Sequence, residues 1–398
     1  MYFEFGLRSS LLLIFFTHFL VYALLSLRRG INQERTSDIF LGLFLFLAAL
    51  FIFPWMSGFA GWYDTQPYRE ILFYTPFIQA YFFGPILYMY LKSLTNSAYR
   101  ISRKDYLHFV PGILYLLWAL VIIIVDKILV GHYFLMNGRT DPDFDHWYGY
   151  TWSLSVLIYL LLTIRYYLKY RAFTYFELSY AETAGFKWLR YFLYAFSLLT
   201  LLFISEQVVS SFINLMYVRS WYYFLAFAVI SYYMAISAYH APTMGLLKLN
   251  FKPELLLTYQ QGQDVQGNHI VQDADYEEIV EQQADNSWMD QWQQELLYQI
   301  NVEKVFLNPS LTLTELAKKM GTNASLLSKV INSRFGVSFN ELINRYRVEE
   351  VILLMKDPAY KNLNLLAIAY DAGFNSKSTF NRAFKKLTGD IPKDFLNR

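Results

Sequence analysis

Two ionisable side chains stand near the middle of long apolar stretches of this sequence. Glu206 is near the middle of the stretch 188–215, and His18 is near the middle of the stretch 7–27. A charge is costly inside a lipid bilayer, so an ionisable residue there is a candidate for function by default. We therefore predict Glu206 and His18 as signal-sensing residues. The alternative for each is structural: Glu206 would face polar neighbours such as Gln207, and His18 would be a neutral histidine hydrogen-bonded inside a helix bundle.

A third group of charges lies between two apolar stretches, in residues 131–150. This segment carries Asp141, Asp143 and Asp145. Carboxylates spaced in this way could bind calcium or a peptide, but the spacing lacks the glycine at the sixth position and the glutamate at the twelfth that complete a calcium-binding loop. We therefore favour the simpler interpretation of a solvated acidic loop, and we predict no metal site.

Several kinds of chemistry are excluded by residues that the sequence lacks. There is no cysteine, which rules out disulfides, thiolate metal sites and a cysteine nucleophile. The sequence contains no His-Glu-x-x-His, Gly-x-Ser-x-Gly, P-loop or kinase-type glycine-loop signature. We therefore predict that the protein is not an enzyme, and no cofactor is expected.

The elements that would hold Glu206 and His18 are membrane helices. Of the 398 residues, 55% are hydrophobic and only 17% are charged, which is too apolar for an average soluble protein. A helix needs about 20 mostly apolar residues to cross a bilayer. Seven stretches meet this need, with Tyr and Trp at many of their ends, as expected at the headgroup level. They are 7–27, 39–61, 71–94, 109–130, 152–170, 188–215 and 221–239.

The charges between these stretches predict their orientation. Positive residues close to the spans are retained in the cytoplasm. The first, third and fifth connections together carry twelve Lys and Arg residues, whereas the second, fourth and sixth carry four. This bias predicts a multi-pass membrane protein with its N-terminus outside and everything after residue 240 in the cytoplasm.

Composition also predicts three regions along the chain. Residues 1–240 contain the predicted spans and would form a membrane sensor domain. Residues 241–287 include a stretch rich in Gln, Asp and Glu that cannot bury enough apolar surface to fold alone, so we predict a linker. Helical periodicity returns in residues 288–398, beginning with the stripe Trp288, Trp292, Leu296 and Ile300. That stripe predicts packing on the following helices, with a dimerising coiled coil as the alternative.

A helix-turn-helix pattern occurs twice in the last region. In the first copy a short helix with Leu316 and Ala317 precedes a turn at Gly321 and a second helix. The second copy repeats the pattern about 52 residues later, with Ile368, Ala369 and Gly373 at the matching positions. Internal repetition strengthens a weak motif. Between the copies, residues 339–356 predict a long helix that ends before a proline.

Residues 311–398 resemble the DNA-binding domain of the AraC/XylS family of bacterial regulators. The resemblance rests on Ala369, Gly373-Phe374, Phe380, Arg382, Phe384-Lys385-Lys386, Gly389, Pro392 and Phe395. Together with the apolar stretches, the architecture is similar to membrane-bound members of that family. The implied fold is all-α: a bundle of about seven membrane helices and a cytoplasmic double helix-turn-helix domain. The implied function is signal-responsive control of transcription.

The resemblance also implies which residues contact DNA, because in that family one helix of each unit lies in the major groove. The reading helices would be residues 325–334 and 377–387, with Phe380 and Phe384 in the core and not stacked on bases. Arg382 would contact guanine, while Lys385, Lys386, Arg345 and Arg347 would neutralise phosphates. For Lys386 and Arg347 the alternative is a merely solvated charge. The remaining contacts are expected from Asn323, Ser325, Ser328, Lys329, Asn332, Ser376, Lys377, Ser378 and Asn381.

The two units differ where they should contact phosphate. The second unit has Phe384-Lys385-Lys386, and the first has Ile331-Asn332-Ser333 at the same place. We therefore predict that the second unit supplies more of the electrostatic affinity. Residues 290–398 contain 15 basic and 11 acidic side chains, and so small an excess suggests weak binding by one copy. A homodimer is therefore expected.

The predicted partners are double-stranded DNA, the lipid bilayer, a second copy of the chain, RNA polymerase and an unidentified small-molecule or peptide signal. The alternative function is that of a transporter or channel whose cytoplasmic helix-turn-helix domain is regulatory. Sparse charge inside the apolar stretches argues against an ion pathway.

Overall fold

The structure, a computed structural model, describes residues 4–96, 99–136, 141–179, 186–212, 217–240 and 287–395. These residues are helical, with turns and short 3-10 segments, which confirms the all-α class. Apart from Ser287, the predicted linker lies outside the described residues. The chain divides into two compact units, Met1–Tyr167 with Lys187–Asn250 and Leu168–Phe186 with Phe251–Arg398. The second unit thus contains a short segment from the apolar half, which composition did not predict.

Eight helices lie in the apolar half of the described chain. They are α1 Leu7–Asn32, α2 Thr36–Gly58, α3 Tyr68–Tyr74, α4 Phe83–Thr95, α5 Val110–Ile123, α6 His146–Glu177, α7 Phe186–Phe212 and α8 Tyr217–Tyr239. Helix α5 continues as a π-helical segment, Ile124–Val130. Within the described residues, six helical segments are long and apolar enough to cross a membrane: Leu7–Asn32, Thr36–Gly58, Asp105–Val130, His146–Tyr175, Trp188–Phe212 and Val218–Tyr239.

The third predicted span is not one helix. Residues 71–94 are divided between α3 and α4, with non-helical backbone between them. Thr75 is extended, at φ −95° and ψ 115°, and it precedes Pro76. The proline ring disfavours helical backbone at the residue before it, so the helix ends there. The expectation of seven continuous helices was therefore wrong at this position.

Aromatic side chains fill the core of the first unit. Phe51 of α2 is buried, and its ring lies 4.4 Å from Phe227, 5.5 Å from Phe83 and 5.8 Å from Phe203, measured between ring centroids. These rings come from α2, α4, α7 and α8. Each large ring removes 150–250 Å² from solvent or lipid and prefers tilted contacts, so a shared cluster fixes the helices in one arrangement.

Seven helices lie in residues 287–395, the part of the second unit after residue 250 that the structure describes. They are α9 Ser287–Asn301, α10 Leu313–Lys319, α11 Ala324–Phe335, α12 Phe339–Leu354, α13 Leu365–Asp371, α14 Lys377–Thr388 and α15 Pro392–Phe395. The pair α10 and α11 has the same lengths as the pair α13 and α14, as the sequence repeat predicted. Helix α12 connects the pairs and agrees with the predicted long helix to within two residues.

Apolar residues from both predicted patterns are buried in this unit. Leu296 and Ile300 of α9 are fully buried, and α9 packs on α11, which confirms the predicted packing of the stripe on the following helices. Around the second helix pair, Val351, Phe374 and Phe384 belong to one buried cluster. Burial of Val351, Phe374 and Phe384 fixes the second reading helix against α12.

Candidate nucleic-acid interface and membrane-unit cavity

The first helix pair is shaped by caps and a glycine turn. Thr312 and Glu315 form a capping box at the start of α10. Gly321 follows that helix at φ +75°, a left-handed backbone that glycine adopts without steric cost. The Asn323 side chain then accepts a hydrogen bond from the Leu326 N–H at 2.8 Å and so caps α11. These features direct α11 away from α10 at a fixed angle.

The second helix pair repeats this geometry with one tighter contact. Ser376 caps α14 by accepting from the Thr379 N–H at 3.2 Å, at the place that Asn323 holds in the first pair. Gly373 has φ +90°, and a Cβ added there would lie 2.4 Å from the Phe306 carbonyl oxygen. Position 373 therefore requires glycine for two reasons: its backbone is left-handed, and there is no room for a Cβ atom.

Helix α14 presents most of its predicted contact residues to solvent. Phe380 and Phe384 are buried on its inner face, as predicted, whereas the polar residues lie opposite. The exposed set is Lys377, Ser378, Asn381, Arg382, Lys385 and Lys386. A helix with cations on one face and phenyl rings on the other suits docking of the polar face into an electronegative groove.

Lys386 already has an acidic neighbour. Its ammonium group forms a salt bridge with Glu341 in the first turn of α12. Lys386 holds the pKa of the Glu341 carboxyl below its usual range. Both side chains are exposed, so the pair contributes little to stability, but it offsets part of the charge that Lys386 would bring to a phosphate.

Helix α11 presents fewer groups than predicted. Ser328 is buried, so the expectation that it faces DNA was wrong. Ser325 and Asn332 are half-buried, and Lys329 is exposed. The Lys329 ammonium lies 5.7 Å from the centroid of the Trp288 ring on α9, at the distance of a cation–π contact. The packing of α9 on α11 accounts for this difference, because a helix that lies beside α11 covers part of its surface.

The two arginines predicted on α12 have different surroundings. Arg345 is exposed and pairs with Glu349, one turn along the helix, at 3.0 Å. Arg347 is fully buried, and its guanidinium donates to the carbonyl oxygens of Phe306 and Asn308, both at 2.7 Å. A buried group with these partners cannot reach DNA. The phosphate role predicted for Arg347 was therefore wrong, and the residue is structural.

Comparison with known proteins agrees with this geometry. A family model described as a helix-turn-helix domain matches residues 316–398. The C-terminal domain is an AraC-type helix-turn-helix domain. The TCP pilus virulence regulatory protein of Vibrio cholerae (strain O395) is 38% identical over 82 residues, which cover 21% of this chain and 28% of that protein.

A second group of relatives consists of HTH-type transcriptional regulators of Staphylococcus aureus. An uncharacterized HTH-type transcriptional regulator of Staphylococcus aureus (strain COL) is 33% identical over 92 residues, which cover 23% of this chain and 12% of that protein. The chain therefore spans less than a third of the length of either relative. No solved structure matches the chain significantly.

The two predicted sensing residues are in different surroundings from each other. His18 is exposed on α1, where its Nδ1 lies 2.6 Å from the Ile14 carbonyl oxygen and its ring contacts Tyr232 edge-on. The alternative of a histidine inside the bundle was therefore wrong, and the sensing role stays a prediction. Glu206 lies within the last two turns of α7 instead of near the middle, and it lines a cavity in the first unit.

The acidic segment before α6 also lines that cavity, and it is not a solvated loop. Asp141 and Asp143 are each 5% exposed. Asp143 accepts from the Ile78 N–H at 2.8 Å and from the Tyr115 hydroxyl, and Asp141 accepts from the Tyr63 hydroxyl at 3.1 Å. Burial raises the pKa of Asp143 to about 7 and raises that of Asp141 as well. The break between α3 and α4 explains the contact, because Ile78 has no helical acceptor and Asp143 supplies one.

Sequence reasoning missed the end of α6. Glu177, Leu178 and Ser179 are buried and bond to the segment around α10 and to α12, although nothing in their types indicates a contact. Most of the bonds involve backbone atoms, which carry no signature in the sequence. The asparagines that complete them, Asn340 and Asn344, are buried polar residues on a helix that the apolar pattern alone does not distinguish.

Proposed function

We propose that this protein is a DNA-binding transcription regulator of the bacterial cytoplasmic membrane, in which the membrane helices couple a signal to target-gene expression. Residues on α14 and α11 contact the major groove of double-stranded DNA. The N-terminus is outside and the AraC-type domain is in the cytoplasm. The protein acts as a homodimer, because one domain with so small a basic excess binds weakly.

The observation that carries the coupling is the contact between the end of α6 and the AraC-type domain. Helix α6 contains the fifth apolar stretch and ends at Glu177. The Ser179 hydroxyl donates to the Leu311 carbonyl at 2.8 Å and accepts from Arg347 at 3.2 Å. An isolated antiparallel bridge joins Leu178 to Thr312, directly before α10. The chain directly after α6, which contains a predicted membrane span, is thus hydrogen-bonded to the segment that precedes α10.

Helix α12 completes this contact with two asparagines. Asn340 donates to the Leu178 carbonyl at 2.8 Å, and Asn344 donates to the Ser179 carbonyl at 3.0 Å. Glu177 accepts from the Thr314 N–H at 3.1 Å, and burial raises the pKa of its carboxyl. Because α12 spaces the two reading helices, a movement of the α6 end would change how both helices meet DNA.

The predicted orientation is supported by the lining of the cavity in the first unit. Tyr63 and Asp145 line it and come from the second and fourth connections, and Ser220 lines it from the first turn of α8, beside the sixth connection. Connections that meet at one cavity lie on one side of a membrane. The charge bias places all three outside.

Immunoprecipitation of cross-linked DNA tests the regulatory function. We expect the full-length protein to enrich discrete genomic sites. The double variant Arg382→Ala and Lys385→Ala should lose most of that enrichment at an equal amount of protein in the membrane. Absence of discrete sites, or equal enrichment by the variant, would reject the function.

Reporter fusions test the orientation. A reporter that is active only in the cytoplasm should be active when fused after Tyr170 or Tyr259 and silent when fused within residues 131–150. The reverse pattern would invert the topology without affecting the DNA-binding test.

A double variant of the α12 asparagines tests the coupling. Asn340→Ala with Asn344→Ala removes two hydrogen bonds to the end of α6 and leaves α14 unchanged. We expect altered output from a bound promoter in cells, with DNA affinity of the purified protein preserved within about twofold. The exposed Asn301→Ala is the matched control. Unchanged promoter output in the double variant would show that this contact does not transmit the signal.

A further inference from the structure

The first unit contains a cavity of a size suited to a small molecule. Its volume is about 950 Å³, near the upper end of the usual range for ligand sites. Residues of α2, α6, α7 and α8 line it together with the connections named above. Phe73, near the end of α3, and Ile78, within the break between α3 and α4, also line it. Non-helical backbone at membrane depth is tolerated where it lines a cavity. The cavity therefore accounts for a break in the helix at this position.

One wall of the cavity is aromatic. Trp55 and Phe224 stack with their centroids 4.4 Å apart, and Phe51 lies 5.4 Å from Phe224. Trp152 and Tyr223 also line the cavity. The faces of aromatic rings are negative, so such a wall attracts both apolar groups and cations.

The charged lining is mostly acidic. Asp64, Asp141, Asp143, Asp145 and Glu206 line the cavity with one arginine, Arg69. Asp64 and Asp145 alone already outnumber the arginine. The potential in the cavity is therefore negative, and an anionic ligand would be repelled.

Two groups provide hydrogen-bond acceptors beside the aromatic wall. Glu206 accepts from the side-chain amide of the adjacent Gln207, a neutral donor that does not balance the charge of a carboxylate. The Tyr223 hydroxyl is buried and has no hydrogen-bond partner within the described part of the chain. A buried hydroxyl without a partner costs free energy, and a ligand that donates to its oxygen would remove that cost. An ammonium group has three donors and a charge opposite to that of Glu206.

We propose that this cavity binds a small organic cation with a primary ammonium group and an apolar body. The ammonium lies between Glu206 and Tyr223, and the apolar body lies against Trp55, Phe51 and Phe224. That this cation is the regulatory signal rests on the proposed function, whereas its binding does not. In this proposal the sensing role of Glu206 is to bind the ammonium group of the ligand.

Binding to the purified full-length protein in lipid nanodiscs tests the proposal with three probes of similar shape. Phenethylammonium carries the cation, 2-phenylethanol is its neutral analogue, and 3-phenylpropanoate carries the opposite charge. We expect saturable calorimetric binding and quenching of tryptophan fluorescence by phenethylammonium, at least about tenfold weaker binding of the alcohol, and no binding of the carboxylate. Because the protein is wild type, this series does not depend on how a variant folds.

Two variants extend the test to the residues. Glu206→Gln should weaken phenethylammonium binding at least about tenfold and leave binding of the alcohol unchanged, while Glu4→Gln should change neither. Equal binding of the amine and the alcohol, preference for the carboxylate, or no saturable binding of any probe would overturn the proposal. DNA enrichment in cells is measured separately, so loss of the cation proposal would leave the regulatory function standing.

Discussion

The two helix-turn-helix units have the same backbone geometry, but they differ in how much of each reading helix is covered by other parts of the chain. Helices α10 and α11 match α13 and α14 in length, cap position and glycine turn. Helix α11 is partly covered by α9, with Lys329 against Trp288 and Arg334 paired with Asp290 at 2.5 Å. Helix α14 instead exposes a row of polar and basic residues. The repeat therefore preserves the backbone geometry, and the two copies differ in exposure: α9 covers part of α11, whereas α14 presents its polar face to solvent.

Arg347 gives the largest expected effect, because the first pair depends on it. Arg347→Ala would remove the donors of the Phe306 and Asn308 carbonyls and leave a cavity. We expect a loss of about 3 kcal/mol or more in the free energy of unfolding of this region. Hydrogen exchange of α10 and α12 amides in the full-length protein measures it. Arg345→Ala is the matched control, with an effect within about 0.5 kcal/mol.

The same variant can also contradict our assignment. If Arg347→Ala left exchange unchanged but reduced the salt dependence of DNA binding, the residue would contact phosphate as its type first suggested. The two pairs would then be more alike than the structure indicates.

The glycine turns should respond unequally to the same substitution. Gly321 has left-handed backbone but open space for a side chain, so Gly321→Ala should cost about 1–2 kcal/mol. Gly373→Ala adds a clash with the Phe306 carbonyl, and we expect about 2–4 kcal/mol. Thermal unfolding of the full-length protein, followed by exchange in each pair, compares them. Equal costs would show that the loop containing Phe306 moves aside readily.

How much of this could be predicted from the sequence differs between the halves. The reading helices, the connecting helix and the buried Phe380 and Phe384 followed from periodicity and turn residues, which act locally. The burial of Arg347 did not follow, because it depends on Phe306 and Ser179, residues distant in the sequence. An arginine on a helix looks the same whether its partners are phosphates or carbonyl oxygens.

In the apolar half, composition predicted the six helical segments that are long enough to cross a membrane. It predicted neither the break between α3 and α4 nor the cavity. Pro76 was visible in the sequence, but prolines are common in membrane helices and usually produce only a kink. The acidic segment looked solvated because its partners, the Ile78 N–H and the Tyr115 hydroxyl, come from elements more than 25 residues away. Carboxylates that accept hydrogen bonds from backbone N–H groups at a break in a helix cannot be recognised from the sequence until the position of that break is known.

Arg382 should carry more sequence preference than any exposed residue of α11. A guanidinium that contacts guanine with two hydrogen bonds contributes about 1–3 kcal/mol of discrimination. We expect Arg382→Ala to weaken binding to a DNA site selected from a random library by that amount and to relax preference at one position. Lys329→Ala, the matched change in the first pair, should have a smaller effect because Trp288 already contacts the ammonium. A larger effect of Lys329→Ala than of Arg382→Ala would show that α11 contributes more to sequence preference than α14.

The smallest expected effect separates the two adjacent lysines of α14. Each phosphate contact contributes about 0.9 to the slope of log affinity against log salt concentration. Lys385→Ala should lower that slope by nearly this amount, and Lys386→Ala should lower it less, because Glu341 offsets the Lys386 charge. Glu341→Gln keeps the shape of the partner and removes its charge, so in that background the Lys386→Ala effect should rise toward that of Lys385→Ala. Equal slope changes for the two lysines in the wild-type background would show that DNA displaces Glu341 completely, and the second pair would then provide both cations that its sequence suggests.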